Sequence, residues 1–446
     1  MSRMVLLSGS PGELGRAYGE LAGEALRQRL GRMRAQAARS PWSREELLER
    51  GRTFAGFVAR TAPEWLDEAA GVAEAARVER ADLLALNALP RGFWESGPGG
   101  CTSAVVAGSA SATHDTLLHK NRDEHDEPQD FHVRRSAGRQ VLASRDVGRL
   151  GFAHFHSDRA LAGANNTGSE IPADELRECG LACVHLLRLV AERASTCDEA
   201  VAVLEQAVAK EVAGASGGSR GMIFLLADPR RGAVVEMTSR HFAVQEVRDA
   251  AVVRTNHFLL PQMQPYAAKP PGQNTLRRYD RAHQLLDPVP KKNLADFARL
   301  ARDHAHGPDS ICNDNAEHFW MTVSACTHLV REHTADPLAH SRVAMGNPRN
   351  TLFVPIPRAI EGLPAACVSG RMSELARRLY AAHGVDTHLA EVQAEHERAM
   401  AREFAAVGAR ARFGAPERLR EELTGFVARA VERVRGLIES RLGSGA

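Results

Sequence analysis

A cysteine at position 101 sits where a thiol could do chemistry. It follows Pro98-Gly99-Gly100 and precedes Thr102-Ser103 and the apolar run Ala104-Val105-Val106-Ala107. A flexible loop thus feeds a buried strand, and glycine before the thiol leaves the backbone approachable and free to take strained conformations. Taken alone, the stretch reads as an ordinary packed cysteine, since free cysteine is among the most buried residue types. The sharper reading is that the chain is cut between Gly100 and Cys101, which makes Cys101 a new N-terminus.

A thiol nucleophile needs a base or a positive charge nearby to form thiolate at neutral pH. A Cys-His pair is the common solution, and among 19 histidines His119, His257 and His304 are available by composition. No local signature of a Cys-His enzyme surrounds Cys101. A free α-amino group, with a pKa of roughly 7.7–8.0, offers another base to the thiol of the same residue. The thiol could attack the Gly100 carbonyl, shift the acyl group to sulfur and leave a thioester for water. Three more polar clusters fall at or near expected strand ends: Lys120-Asn121-Arg122-Asp123, Asn165-Asn166-Thr167-Gly168 and Arg254-Thr255-Asn256-His257. Each alone is weak evidence, because Asn-Asn-Thr-Gly reads as a glycine-flanked turn and asparagine at a strand end commonly caps backbone groups.

The elements that must position these residues follow from periodicity. Residues 1–97 read as helical, with Leu14, Tyr18, Leu21, Ala25 and Leu30 at three- and four-residue spacings between Gly12 and Arg34. Strands are expected over 101–108, 115–120, 140–144 and 150–155, and a hairpin joins Ile223–Asp228 to Ala233–Met237. Further strands are expected over 242–247, 250–254, 322–325, 340–345 and 352–355, with helices over 179–209, 274–286, 293–304 and beyond 373. Helices, two blocks of antiparallel strands separated by helices, and helices again fit an α+β sandwich of four layers better than a doubly wound parallel sheet.

Bulk composition excludes several functions. The balance of 57 basic and 55 acidic residues gives a net charge of +2, so nothing points to nucleic acid or a membrane surface. The apolar run Met4–Leu7 is too short for a secretory signal, and no stretch approaches a membrane span. Seven widely spaced cysteines without a CxxC pair suit a reduced, cytoplasmic chain and give no zinc knuckle. The histidines are scattered and no Gly-rich phosphate loop occurs, so neither metal nor bound cofactor is expected.

Taken together, Gly100-Cys101-Thr102, Asn121-Arg122-Asp123, Asn165-Asn166, the hairpin from Phe224 to Glu236, Thr255-Asn256-His257-Phe258 and Ser310-Ile311-Cys312 come in the order seen in one family. From about Gly12 to Pro357 the chain resembles the peptidase family typified by isopenicillin N acyltransferase (acyl-coenzyme A:6-aminopenicillanic acid acyltransferase), within the N-terminal-nucleophile hydrolases. The choloylglycine and penicillin V hydrolases are more distant relatives. The resemblance implies an αββα fold and self-cleavage before Cys101. It also implies an amidohydrolase or acyltransferase, of a kind used in natural-product biosynthesis, that passes an acyl-thioester to water or an amine. By that likeness Cys101 is the nucleophile, Asp123 orients its amine, and Lys120 takes the place of an arginine near the thiol. Asn256, with Asn165 or Asn166, holds the oxyanion. Arg122, Asn121, Arg254, His257, Ser310 and Asn313 are candidates for substrate contact. The family tends to carry an arginine where this chain has Asn313, so Arg122 or Arg254 must substitute or the substrate differs.

Three regions are therefore expected: a helical pro-segment over 1–100, a catalytic core over 101–372 and a helical extension packed on it over 373–446. Partners would be a small-molecule amide or acyl donor, with coenzyme A admissible as a co-substrate, and the chain's own cleaved N-terminal fragment; homo-oligomerisation is left open. Two alternatives stand beside this reading. One is an unprocessed relative in which Cys101 is a packed thiol and the pocket binds a small acylated ligand. The other is an uncleaved hydrolase that pairs Cys101 with His257.

Overall fold

The computed structural model describes residues 2–90, 93–94, 100–125, 129–177, 179–216, 218–314, 320–331, 338–384, 389–411 and 415–443. Pro98 and Gly99 of the cysteine loop lie outside them. Strand β1 (Met4–Ser8) opens the chain, followed by helices α1 (Pro11–Ala37), α2 (Arg44–Thr61), α3 (Glu64–Ala76) and α4 (Arg80–Leu86). Six strands come next: β2 (Thr102–Val106), β3 (Thr116–His125), β4 (Gln129–Ser136), β5 (Arg139–Asp146), β6 (His154–Ser157) and β7 (Ala162–Glu170). Helices α5 (Cys183–Arg193) and α6 (Cys197–Ala209) precede β8 (Arg220–Asp228), β9 (Arg231–Met237), β10 (Phe242–Val247) and β11 (Ala251–Arg254). Helices α7 (Gln273–Leu286) and α8 (Leu294–Ala301) lead to β12 (Trp320–Val330), β13 (His340–Met345) and β14 (Val354–Pro357). The chain then runs through α9 (Ala365–Val368), α10 (Arg371–His383), α11 (Ala390–Ala411) and α12 (Pro416–Gly443).

The strands form two sheets, ordered β1-β4-β5-β6-β7-β8-β9-β10 and β11-β2-β3-β12-β13-β14. Every pairing is antiparallel except β1 with β4. The sheets face each other through β2 and β3 on one side and β7, β8 and β9 on the other. Helices α5 and α6 cover the outside of the larger sheet, and α7 and α8 cover the outside of the smaller one. The protein is thus an α+β sandwich of four layers, helix-sheet-sheet-helix, as the sequence pattern and the resemblance led one to expect.

Between the sheets, Val105, Leu118, Ala162, Ala164, Ile223, Leu225 and Val234 form a buried apolar cluster. Side chains alternate along a strand, so each strand continues the same inner face two residues on. From Val105 that face passes to Ser103 and Cys101, from Leu118 to Lys120 and Arg122, and from Ala164 to Asn166. The inter-sheet layer is therefore dry at one end and polar at the other, with Cys101 at the polar end.

The N-terminal helices build a separate apolar layer on the larger sheet. In α1, Leu14, Tyr18, Ala22, Leu26, Leu30 and Met33 are buried along one stripe. Helix α3 lies so close to it that a Cβ on Gly15 would stand 2.2 Å from the Glu68 carbonyl oxygen, so glycine sets this contact. The C-terminal helices pack on β14 and one another and share a core with Met4, Phe131 and Val343.

Four expectations are corrected. Residues 1–97 are not all helical: Met4–Ser8 pairs in parallel with β4, a long-range partner that a short apolar run does not announce. Asn165-Asn166-Thr167-Gly168 is not a turn but the middle of β7. Lys120-Asn121-Arg122-Asp123 lies inside β3, which runs to His125 instead of stopping at Lys120. The strand expected over 150–155 begins only at His154, and β4 was not anticipated. For the Asn165 and Lys120 clusters, polar residues satisfied by distant partners defeat local propensity.

Candidate active site

The backbone on either side of the Gly100–Cys101 peptide is held from several directions. The Gly100 N–H donates to Asp123 Oδ2 at 3.4 Å, and the Cys101 carbonyl accepts from Arg278 Nη1 at 2.7 Å. Asn256 presses against the glycine: a Cβ on Gly100 would stand 2.1 Å from Asn256 Oδ1 and 2.7 Å from Arg278 Nη2. Only glycine fits there without displacing these groups. Cys101 is partly exposed, while Lys120, Asp123, Asn256 and Arg278 around it are buried.

Lys120 supplies the positive charge at the thiol. Its ammonium donates to Asn166 Oδ1 at 2.8 Å and to the Asn165 carbonyl, and it lies close enough to Cys101 to interact with it electrostatically. Burial lowers the Lys120 pKa, and the Cys101 charge acts in the opposite sense. The Asn166 amide is saturated: Oδ1 also accepts from Ser103 Oγ at 2.8 Å, and Nδ2 donates to the carbonyls of Arg254 and Thr255 at 3.0 and 2.9 Å. Asn166 therefore positions Lys120 and the strand end carrying Asn256. The Asn165 amide donates to the Phe152 carbonyl at 2.8 Å, so only its backbone meets the site. Asn256 Nδ2 donates to the Thr167 carbonyl and hydroxyl at 2.9 and 2.8 Å.

Burial raises the Asp123 pKa from the ordinary 3.8 to about 6, with Arg278 and the Thr322 hydroxyl, 2.7 Å from Oδ1, pulling it back. A carboxyl whose pKa is higher folded than unfolded loses stability as pH rises between the two values and carries the full penalty above the higher one. Asp123→Asn is therefore expected to raise stability at pH 7 by up to about 3 kcal/mol. That gain should fade below about pH 4, where the native carboxyl is protonated in both states. Urea midpoints at pH 7 and pH 4 check this, and a variant less stable than the native chain at pH 7 would refute the assigned strain.

The remaining candidates act at one remove or elsewhere. Arg122 is buried against Asp146 at 2.9 Å and Glu124 at 3.2 Å, whose charges outweigh desolvation and hold it firmly protonated. Arg254 is bound by Glu236 at 2.7 Å and Gln245 at 2.6 Å. Asn121 donates to the carbonyls of Ala301 and Ile311. His257 Nδ1 meets the hydroxyls of Thr255 and Thr275, and burial, with Arg278 and Arg254 nearby, lowers its pKa to about 4. It is not placed as a partner of Cys101. The Ser310 hydroxyl accepts from the His306 N–H. The Asn313 N–H donates to Thr322 Oγ1 at 2.8 Å, which in turn donates to Asp123, so Asn313 supports the carboxylate through its backbone.

Arg278, not Arg122 or Arg254, is the arginine beside the Gly100–Cys101 junction, and sequence reasoning missed it. Its guanidinium also donates to Asn256 Oδ1 at 2.9 Å, to Asn274 Oδ1 at 2.9 Å and to Thr102 Oγ1 at 3.2 Å. A signal was present: Thr275, Arg278, Ala282 and Leu286 form the buried stripe of α7, and a charge on such a stripe marks a polar site.

The histidines are less scattered than the sequence suggested. His154, Cys326 and His328 meet between the sheets with ligand atoms within 4.8 Å of one another. They share hydrogen bonds: His154 Nδ1 lies 3.0 Å from His328 Nε2, and His328 Nδ1 lies 2.7 Å from the Ser341 hydroxyl. Lys120 and Arg122 set a positive potential at His154 that opposes a cation there. Among the described residues, no helix is long and apolar enough to cross a membrane.

Residues 167–335 match the model of the family described as acyl-coenzyme A:6-aminopenicillanic acid acyl-transferase, the family that the ordered motifs resemble. The matched stretch holds Asn256 and Arg278 and begins after Cys101, Lys120 and the asparagine pair. Similar solved structures include a mutant of the conjugated bile acid hydrolase from Clostridium perfringens, at 11% identity and a TM-score of 0.38, covering 58% of this chain and 92% of that one. Another is the Caenorhabditis elegans ortholog of N-acylethanolamine-hydrolyzing acid amidase, at 12% identity and a TM-score of 0.37, covering 51% and 92%. No curated protein sequence matches the chain.

Proposed function

We propose that the chain cuts itself between Gly100 and Cys101 and then acts on amides as an N-terminal-nucleophile hydrolase or acyltransferase. The observation that carries this reading is the Gly100–Cys101 junction, with Asp123, Arg278 and Asn256 on its backbone and Lys120 on its thiol. In the cut, Cys101 sulfur attacks the Gly100 carbonyl carbon, the C–N bond breaks and the Cys101 nitrogen takes the thiol's proton. Water then hydrolyses the thioester, leaving a Gly100 carboxylate, a free thiol and a free α-amine.

In turnover the α-amine takes the thiol proton and the sulfur attacks the substrate's acyl carbon. The ammonium returns a proton to the departing amine. The thioester passes to water or to a second amine, and acyl-coenzyme A could load the same sulfur. Asp123, which accepts from the Gly100 N–H one residue away, is assigned to hold the new amine, and Lys120 to offset charge on sulfur. By the family resemblance Asn256 is assigned to the developing oxyanion, the kind of stabilisation that contributes most in such sites. Its Nδ2 donates to Thr167 in the uncut chain, so this role requires one of those bonds to be exchanged.

Incubation with a small library of amides and acyl-thioesters, followed by intact mass spectrometry, tests this. An acyl adduct is expected on the fragment beginning at Cys101, removable by hydroxylamine. Turnover with no adduct there, or an adduct on another fragment, would exclude the assigned nucleophile.

A further inference from the structure

A second cavity lies away from Cys101. It opens on the outer face of the smaller sheet, between β13, α8 and α11, and its volume is about 1260 Å³. Pockets that hold small molecules span roughly 300–1,000 Å³, so there is ample room for a ligand. Cys101 and Lys120 face the other sheet, so the two sites are on opposite sides of the same strands.

The space exists because α11 turns small residues toward the sheet. Ala394, Ala401 and Ala405 line it where bulkier residues would close the gap, and Leu117, Leu329 and Phe404 give it apolar walls. Phe404 is fixed at one end by its ring contact with His340, centroids 4.6 Å apart.

The charges on these walls do not balance. All three wall carboxylates are already matched. Asp115 pairs with Arg331 at 3.4 Å and Asp303 with Arg281 at 2.7 Å, while Glu397 takes Arg302 and the Phe353 N–H. Arg342, on β13 between Thr327 and Pro355, has no hydrogen-bond or ion-pair partner among the described residues, and its Nε is shut off from solvent. Arg342 is partly buried, so its guanidinium loses some hydration without gaining a partner, and a bound anion would supply one. Arg398 of α11 also lines the cavity without an ion pair among the described residues but stands exposed to water, so Arg342 is the more shielded of two unmatched guanidiniums. These largely apolar walls suit a molecule with a hydrocarbon body and a carboxylate.

We propose that this cavity binds an apolar carboxylate, with Arg342 holding the head group and the α11 alanine stripe accommodating the chain. The proposal does not depend on the chemistry at Cys101.

Calorimetric titration with dodecanoate, dodecanol and acetate tests it, on the native chain and on protein whose Cys101 is blocked with iodoacetamide. Dodecanoate is expected to bind one per chain in both. Dodecanol should bind at least about tenfold more weakly, as the loss of one charge-assisted hydrogen-bonded pair implies. Arg342→Gln should lose a similar factor, Arg342→Lys should recover much of it, and Ala401→Trp should fill the space and abolish binding. Should Arg342→Gln fail to fold, the comparison of dodecanoate with dodecanol on the native chain decides. Equal binding of the two, unchanged binding in Arg342→Gln, or loss of binding when Cys101 is blocked would each overturn the proposal.

Discussion

Replacing Cys101 with alanine is expected to leave one uncut chain of 446 residues and to abolish amide turnover. Loss of the nucleophile in a hydrolase lowers kcat by roughly 10⁶, because the remaining groups stabilise an oxyanion that no longer forms efficiently. The same sulfur does both jobs, so cleavage and turnover should vanish together. A denaturing gel and an amide-release assay read the two effects separately. The variant should keep its stability, since the partly exposed thiol contributes little packing and the Arg278 contact is to the Cys101 backbone. If Cys101→Ala is still cut, or still turns over an amide, the thiol is a packed residue and the reading falls.

The second large effect lies at the joint between the N-terminal helices and the core. Glu68 of α3 is fully buried and bound by three arginines. Arg134 and Arg188 reach Oε2 at 2.7 and 2.6 Å, and Arg145 reaches Oε1 at 2.8 Å. Burial pushes the Glu68 carboxyl up, and the guanidiniums more than reverse this, holding it well below the usual range. Removing Glu68 leaves Arg134 and Arg145 without this carboxylate and Arg188 with Glu192 alone, and breaking a buried pair from one side typically costs about 3–5 kcal/mol. Glu68→Ala is therefore expected to lower stability by at least that amount in urea. Arg134 and Arg145 come from the core strands β4 and β5, and Arg188 from α5. The same carboxylate thus ties residues 1–100 to the rest after a cut, and in Glu68→Ala the small fragment should separate from the large one on size-exclusion chromatography. A variant as stable as the native chain, with fragments still joined, would show that the apolar contacts of α1 and α3 suffice.

The helices were legible in the sequence because their information is local. Leu14, Tyr18 and Leu30 repeat at helical spacing, and Glu13 caps the α1 N-terminus through the Ser10 N–H at 2.7 Å. The hairpin β8–β9 was equally readable from its two apolar runs and the polar turn between them. Strands β1, β4 and β7 were not, because their reasons for being strands are distant. Asn165 and Asn166 look like turn residues until Phe152, Arg254 and Thr255 are there to accept from them.

The candidate site divides along the same line. Cys101, Lys120, Asp123 and Asn256 could be named from ordered motifs, and the fold gathers all four at one peptide. Arg122 and Arg254 could not be told from working cations, because Asp146 and Glu236, which bind them, are far away in sequence. Arg278 was readable only as a charge on the Thr275-Arg278-Ala282-Leu286 stripe of an amphipathic helix, because the Cys101 carbonyl and Asn256 that it binds are distant in sequence.

The most direct measurement is the N-terminal residue of the largest chain in freshly purified protein, read by Edman degradation and by intact mass. Cleavage at Gly100 predicts Cys-Thr-Ser-Ala-Val, with a companion fragment ending at Gly100, and neither should be found in Cys101→Ala. A native preparation that remains one chain across neutral pH, or whose large fragment begins anywhere other than Cys101, would contradict the account.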